Sequence, residues 1–144
     1  MRQTKRLVSL IAVMLIAACT DNGIFNPMND ASGTYTLTVY QGKSIPATFS
    51  TFVVTGGTLV LNNNGTFTET NNFTPVPQGQ PFQFVSSGTW QLNGTDLQLF
   101  APAQNGNSAR NVSGTLDFDV NGTATVGYSE LDGNGTLQAY EYKR

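Results

Sequence analysis

The sequence predicts an all-β fold: an antiparallel up-and-down meander of about 8–9 strands, closed or nearly closed into a barrel. Three observations carry this expectation. Apolar residues alternate with polar ones along most of the chain, the pattern of a half-buried strand. Gly-Thr recurs at 33, 57, 65, 88, 94, 114, 122 and 135, and four of these pairs follow an asparagine, at 64, 93, 121 and 134. No segment beyond the N-terminal region shows apolar residues at the i, i+3, i+4, i+7 spacing of an amphipathic helix.

The elements follow in order. Tyr35, Leu37 and Val39 alternate with threonines in the first strand, about 33–40. The next two strands are expected at 48–55 and 57–63, with Leu59 and Leu61 on one face. Asn64-Gly65 marks a hairpin turn, expected as type I′ because both residues tolerate positive φ. Strands follow at 66–73 with Phe67 inward, at 82–92 with Trp90 and Leu92, and at 95–101 with Leu97 and Leu99. The last three are expected at 111–120, with Leu116, Phe118 and Val120 on one face, at 122–130, and at 135–143. Short connections favour neighbour-to-neighbour pairing, and closing the sheet removes its exposed edges. Residues 74–80, with Pro75 and Pro77, and 102–110 read as loops.

The N-terminus has a different character. Arg2, Lys5 and Arg6 precede an uncharged, mostly apolar run from Leu7 to Ala18. Twelve residues are too few for a helix to span a bilayer, which takes about 20, and they fit the core of a secretory signal. The run ends Ile16-Ala17-Ala18-Cys19, which resembles the lipobox of bacterial lipoproteins. That resemblance implies cleavage between Ala18 and Cys19, a diacylglyceryl group on the Cys19 thiol, and acylation of the new amino terminus. Cys19 is also the only cysteine, so no intramolecular disulfide explains it. Residues 19–31, rich in Asn, Asp, Gly and Pro, read as a flexible lipidated tether. The expected address is the cell envelope, with attachment to a membrane through the N-terminal lipid. Thr20, rather than aspartate, directly follows the cysteine, which in enteric-type lipoproteins points to the outer membrane.

Composition narrows the functions. Residues 1–18 hold three of the seven basic side chains and none of the nine acidic ones, which leaves four against nine and a net charge of −5. No basic stripe for nucleic acid and no polybasic patch for anionic lipid is present. The chain has no histidine, the commonest general base and metal ligand, and its cysteine is assigned to lipid. An enzyme is not expected, and no cofactor is expected. Asp117 and Asp119 share the polar face of one strand and read as a solvated surface. Glu130, Asp132 and Asn134 have part of the spacing of a calcium loop, but strands flank them where helices belong. They read first as a hairpin turn and only second as a calcium candidate.

Several strings together, Gly33-Thr-Tyr-Thr-Leu37, Gly42-Lys-Ser-Ile-Pro46, Gly57-Thr-Leu-Val-Leu61 and Asn64-Gly-Thr-Phe-Thr68, resemble the lipocalin-like family of small bacterial lipoproteins. Ser87-Gly-Thr-Trp90, the run 93–99 and Tyr140-Glu-Tyr-Lys-Arg144 match its later strands, so the resemblance covers 32–144. It implies a small barrel with a potential apolar cavity and names no ligand; the leading expectation is a binding module that holds a small apolar or amphipathic molecule. Tyr35, Phe67, Trp90, Phe118 and Tyr128 are the candidate cavity-lining residues. The alternative is a barrel filled by its own side chains that docks on another envelope protein, through 74–81 or 102–110.

Overall fold

The structure, a computed structural model, describes residues 27–103 and 108–144. The signal segment, Cys19 and most of the expected tether therefore lie outside the described residues. The last stretch assigned to the tether behaves differently from that expectation: Pro27–Ala31 forms one helical turn, α1. Proline suits the first position of a helix, where its missing N–H is not needed, and Ala31 is wholly buried.

Strands follow at β1 (Gly33–Tyr40), β2 (Lys43–Ser44), β3 (Ala47–Thr48), β4 (Phe52–Leu61), β5 (Thr66–Pro75) and β6 (Phe82–Asn93). The second half adds β7 (Asp96–Ala101), β8 (Arg110–Phe118), β9 (Ala124–Leu131) and β10 (Leu137–Lys143). From β4 to β10 each strand pairs antiparallel with the next, β10 pairs with β1, and β1 pairs back onto β4. The result is a closed eight-stranded up-and-down barrel with two short extra strands, as the alternation predicts. Closure covers only part of the seam. Gly33–Thr36 pairs with Thr58–Leu61, while beyond it Tyr40 pairs with Lys43 of β2 and Val54 with Ala47 of β3. Residues 43–49 thus fill a gap where β1 and β4 splay apart.

Three local expectations are corrected. The strands expected at 48–55 and 57–63 are one, and β4 runs through Gly56-Gly57 with a bulge between Val54 and Gly56. Glycine serves there for room: a Cβ on Gly57 would sit 2.1 Å from Asn71 Oδ1, inside the barrel. A register shift between Leu37 and Val39 in β1 turns Tyr40 inward in place of Val39. The Asn-Gly turns differ from the type I′ expectation as well, because Asn64, Asn121 and Asn134 keep negative φ and only the glycines are positive. In each, the glycine N–H bonds back three residues, to the carbonyl of Asn62, Asp119 or Asp132. This is the three-residue hairpin with a type I turn and a glycine bulge. Asp119 and Asp132 hold two of these turns, each Oδ1 accepting two backbone N–H groups at 2.8–2.9 Å.

That turn geometry overrides alternation in β8. The strand ends at Phe118 because Asp119 begins the turn, so Phe118 is 40% exposed and Val120 stands fully in solvent. Phe118 is therefore not an interior residue, contrary to its inward parity.

One end of the barrel is closed. Leu61, Trp90, Leu97, Leu116 and Ala124 lie there with almost no exposure, and Ala31 and Met28 of α1 pack over them. Trp90 Nε1 donates to the carbonyl of Asn62 at 2.8 Å, which satisfies the one polar atom of the ring. Tyr35 Oη donates to Ala31 O at 2.5 Å. Arg144 completes the closure. Its guanidinium donates to the carbonyls of Ser32 and Asp30 and covers the Tyr35 ring at 5.3 Å. A cation on the last carbonyls of a helical turn stabilises it. Arg144→Ala is expected to cost about 1 kcal/mol and to release α1 before the barrel unfolds. Amide hydrogen exchange should show 27–32 losing protection while β6 and β7 keep theirs.

Candidate functional site

The opposite end is different in kind. Along the inward face of β5 the order is Phe67, Glu69, Asn71, Phe73, so a carboxylate and an amide interrupt an apolar row. Glu69 and Asn71 are both at 0% exposure. A buried carboxylate requires compensation, and β5, β8, β9 and β10 supply it together. Asn71 Nδ2 donates to Glu69 Oε1 at 2.8 Å, and the Tyr142 hydroxyl lies 2.6 Å from the same oxygen and 2.9 Å from Asn71 Oδ1. The Tyr128 hydroxyl also donates to Oε1, while Arg110 Nη1 donates to Oε2.

Arg110 is the hub. Its Nε and Nη2 grip both oxygens of Glu130, with Nη2 to Oε1 at 2.8 Å, and Nη2 also reaches the Tyr128 hydroxyl at 3.1 Å. The guanidinium packs over the rings of Tyr128 at 5.4 Å and Phe84 at 5.8 Å. Burial opposes its charge, but Glu69, Tyr128 and Glu130 outweigh that cost and hold it protonated beyond the ordinary arginine range. Two carboxylates thus share one guanidinium across the barrel, leaving a formal charge of −1. Among the described residues, no buried side-chain nitrogen or oxygen lacks a partner.

Above this floor sits an aromatic collar. Tyr40 meets Phe49 and Tyr140 edge-on at 5.4 and 5.1 Å, and Phe49 stacks on Phe52 at 5.0 Å. Phe73 stacks on Phe82 at 5.4 Å, and Tyr140 on Tyr128 at 4.9 Å. Gln138 accepts from Tyr40 and Gln41 and donates to Asp132 at 3.2 Å, which ties the collar to the β9–β10 turn. Val76, Phe82, Val85, Leu131 and Leu137 are exposed around this end, at 38–68%.

All five tyrosines titrate above the ordinary value. Burial comes first in each case, reinforced by Glu69 for Tyr128 and Tyr142 and by Glu130 for Tyr140. The folded chain therefore keeps phenol protons that the unfolded chain loses above about pH 10. Stability from this source is intact below that pH and is lost as pH climbs further. Tyrosinate absorbance in an alkaline titration is expected to rise in one cooperative step together with unfolding. A phenol ionising near pH 10 in the native protein would contradict the burial.

The sequence-derived candidates distribute unevenly over this architecture. Tyr35, Phe67, Trp90 and Tyr128 are all interior, at 5% exposure or less, and Phe118 is not. The first three pack with Leu59, Leu61, Leu97, Leu99 and Leu116 below the floor, while Tyr128 belongs to the floor itself. The calcium candidate does not assemble. Glu130 turns inward to Arg110, while Asp132 spends Oδ1 on the turn and Oδ2 on Gln138. No group of three His, Cys, Asp or Glu side chains that could hold a metal ion occurs among the described residues. Glu69, Asn71, Arg110 and Tyr142 were not candidates from sequence. Their signal was parity: Glu69 follows Phe67 by two, and Arg110 precedes Val112 by two, each a charge on an apolar face.

Open depressions of about 580 and 530 Å³ lie along 74–80 and over the outward residues Ser113, Thr115, Ser129 and Glu141. A cleft of about 30 Å³ lies beside Arg110, Phe84 and Ser86 at the barrel mouth.

The class is thus a closed eight-stranded antiparallel barrel with a side-chain-filled lower half and a charged floor, an architecture compatible with a lipocalin-like fold. In comparisons with protein-family models and with curated proteins, the chain matches none.

Proposed function

We propose that this chain is a lipid-anchored lipoprotein of the cell envelope whose filled barrel docks on another envelope protein through its open end. The observation that carries this reading is the floor. Glu69, Arg110, Glu130, Tyr128 and Tyr142 span the barrel and satisfy one another, above a lower half occupied by Trp90, Tyr35, Phe67 and leucines. A drug-sized ligand needs about 300 Å³ or more, and would have to displace that packing. The exposed Leu131, Leu137, Phe82, Val85 and Val76 around the open end supply apolar contacts for a partner. The absence of histidine from the sequence argues against acid–base catalysis, and the acidic balance argues against a nucleic-acid partner.

A second reading places an amphipathic small molecule at the mouth, and the aromatic collar favours it. Phe49 is carried on residues 43–49, whose backbone pairs with the barrel through the two-residue strands β2 and β3. Displacing this segment would open the collar to the charged floor. Photo-crosslinking groups placed at Leu131 and Leu137 in living cells separate the two. Docking is expected to give one discrete protein adduct from these positions and none from Gln91, on the outer wall. A smear of adducts, or none, would contradict it.

A further inference from the structure

We infer that the closed end of the barrel rests on the bilayer that holds the lipid of Cys19, with Phe118 and Val120 as its contact, and that the open end is presented away from that surface. The inference rests on the lipid-anchor reading and adds the orientation to it. Its first support is chain length. Residues 19–26 separate the lipidated cysteine from Pro27 and can span at most about 28 Å when fully extended. Pro27 opens α1, which packs at the closed end, where Arg144 clamps Asp30 and Tyr35 bonds Ala31. The barrel strands, 6–12 residues at about 3.3 Å each and tilted near 40°, give a wall roughly 15–30 Å tall. For the open end to reach the same bilayer, the tether would have to run along the wall for much or all of its length. The closed end meets it with slack to spare.

The second support is independent. The β8–β9 turn lies at this same end, since Ala124 pairs with Arg144. It carries the most exposed large apolar side chain among the described residues, Val120 at 101%, with Phe118 at 40% beside it. Asp119 locks that turn, so the tip is held out rigidly. An apolar pair beside an anchored tether gains by dipping into the interface. The neighbouring carboxylates of Asp117 and Asp119 are exposed and repel anionic headgroups, so the surface it fits is zwitterionic.

The test uses the full chain, matured and acylated in a bacterium and inserted into phosphatidylcholine vesicles that carry a nitroxide at headgroup level. Val120→Cys and Leu137→Cys each provide one free thiol for a fluorophore, because the Cys19 sulfur is a thioether in the acylated protein. Both positions are exposed, so both variants are expected to keep the wild-type circular dichroism spectrum. Quenching at position 120 several-fold stronger than at 137 is the expected result. Equal quenching, or stronger quenching at 137, would overturn the orientation. A vesicle-bound protein quenched at neither position would overturn the contact while leaving the anchor standing. A mature mass without acyl chains would overturn the anchor, and the orientation with it.

Discussion

Arg110→Met is expected to destabilise the barrel by roughly 3–5 kcal/mol, because it strands a buried carboxylate. Glu69 has no exposure, and among the described residues Arg110 is the one cation that touches it. Methionine keeps much of the side-chain length and removes the charge. Asn71, Tyr128 and Tyr142 would still face Glu69 Oε1, but Oε2 and both oxygens of Glu130 would lose their donor. Urea unfolding followed by Trp90 fluorescence reads the loss, which is a large share of a typical domain's 5–15 kcal/mol. The double variant Glu69→Gln with Arg110→Met is expected to recover part of it, since the stranded charge is then gone. A single-variant loss below about 1 kcal/mol, the range of an exposed ion pair, would mean that water reaches the floor freely.

Trp90→Ala is expected to cost a similar amount, about 3–5 kcal/mol, for a different reason. The ring is 2% exposed at the closed end, and its removal leaves a cavity under α1 and takes one of two donors from the Asn62 carbonyl, which keeps the Gly65 N–H. Phe118→Ala provides the contrast, with an expected loss within about 0.5–1 kcal/mol for a side chain already in solvent. Alternation alone ranks these two aromatics together, whereas the turn at Asp119 separates them. Thermal unfolding by circular dichroism of both variants reads that difference directly, and equal losses would return Phe118 to the core.

How much of this was legible without coordinates depends on which physical rule decided each position. Alternation reports which face a residue takes, so β5, β6, β7 and the interior places of Tyr35, Phe67, Trp90 and Tyr128 follow from sequence. Alternation is silent on where a strand leaves the wall. Phe118 and Val120 have inward parity, yet Asp119 captures two N–H groups and ends β8 before they can use it. Glycines were ambiguous for the same kind of reason. Gly56-Gly57 punctuates like a turn but serves a bulge and the close approach of Asn71. α1 is not legible in the sequence, because its five residues carry no helical periodicity and are held by Tyr35 and by Arg144, the latter distant in sequence. The charged floor is the least legible part of the molecule. Glu69 and Arg110 are far apart in the chain, and polar residues on a strand read by default as solvent-facing. Only the closure of the barrel makes them neighbours.

Native mass spectrometry of the protein extracted from its own envelope tests the central claim most directly. A filled barrel that docks through its open end should carry a second protein in fixed stoichiometry and no small molecule, and Leu137→Asp, at the exposed rim, should release that protein. A tightly held small amphiphile on the monomer, retained when the Cys19 acyl chains are accounted for, would contradict it and place the ligand in the barrel.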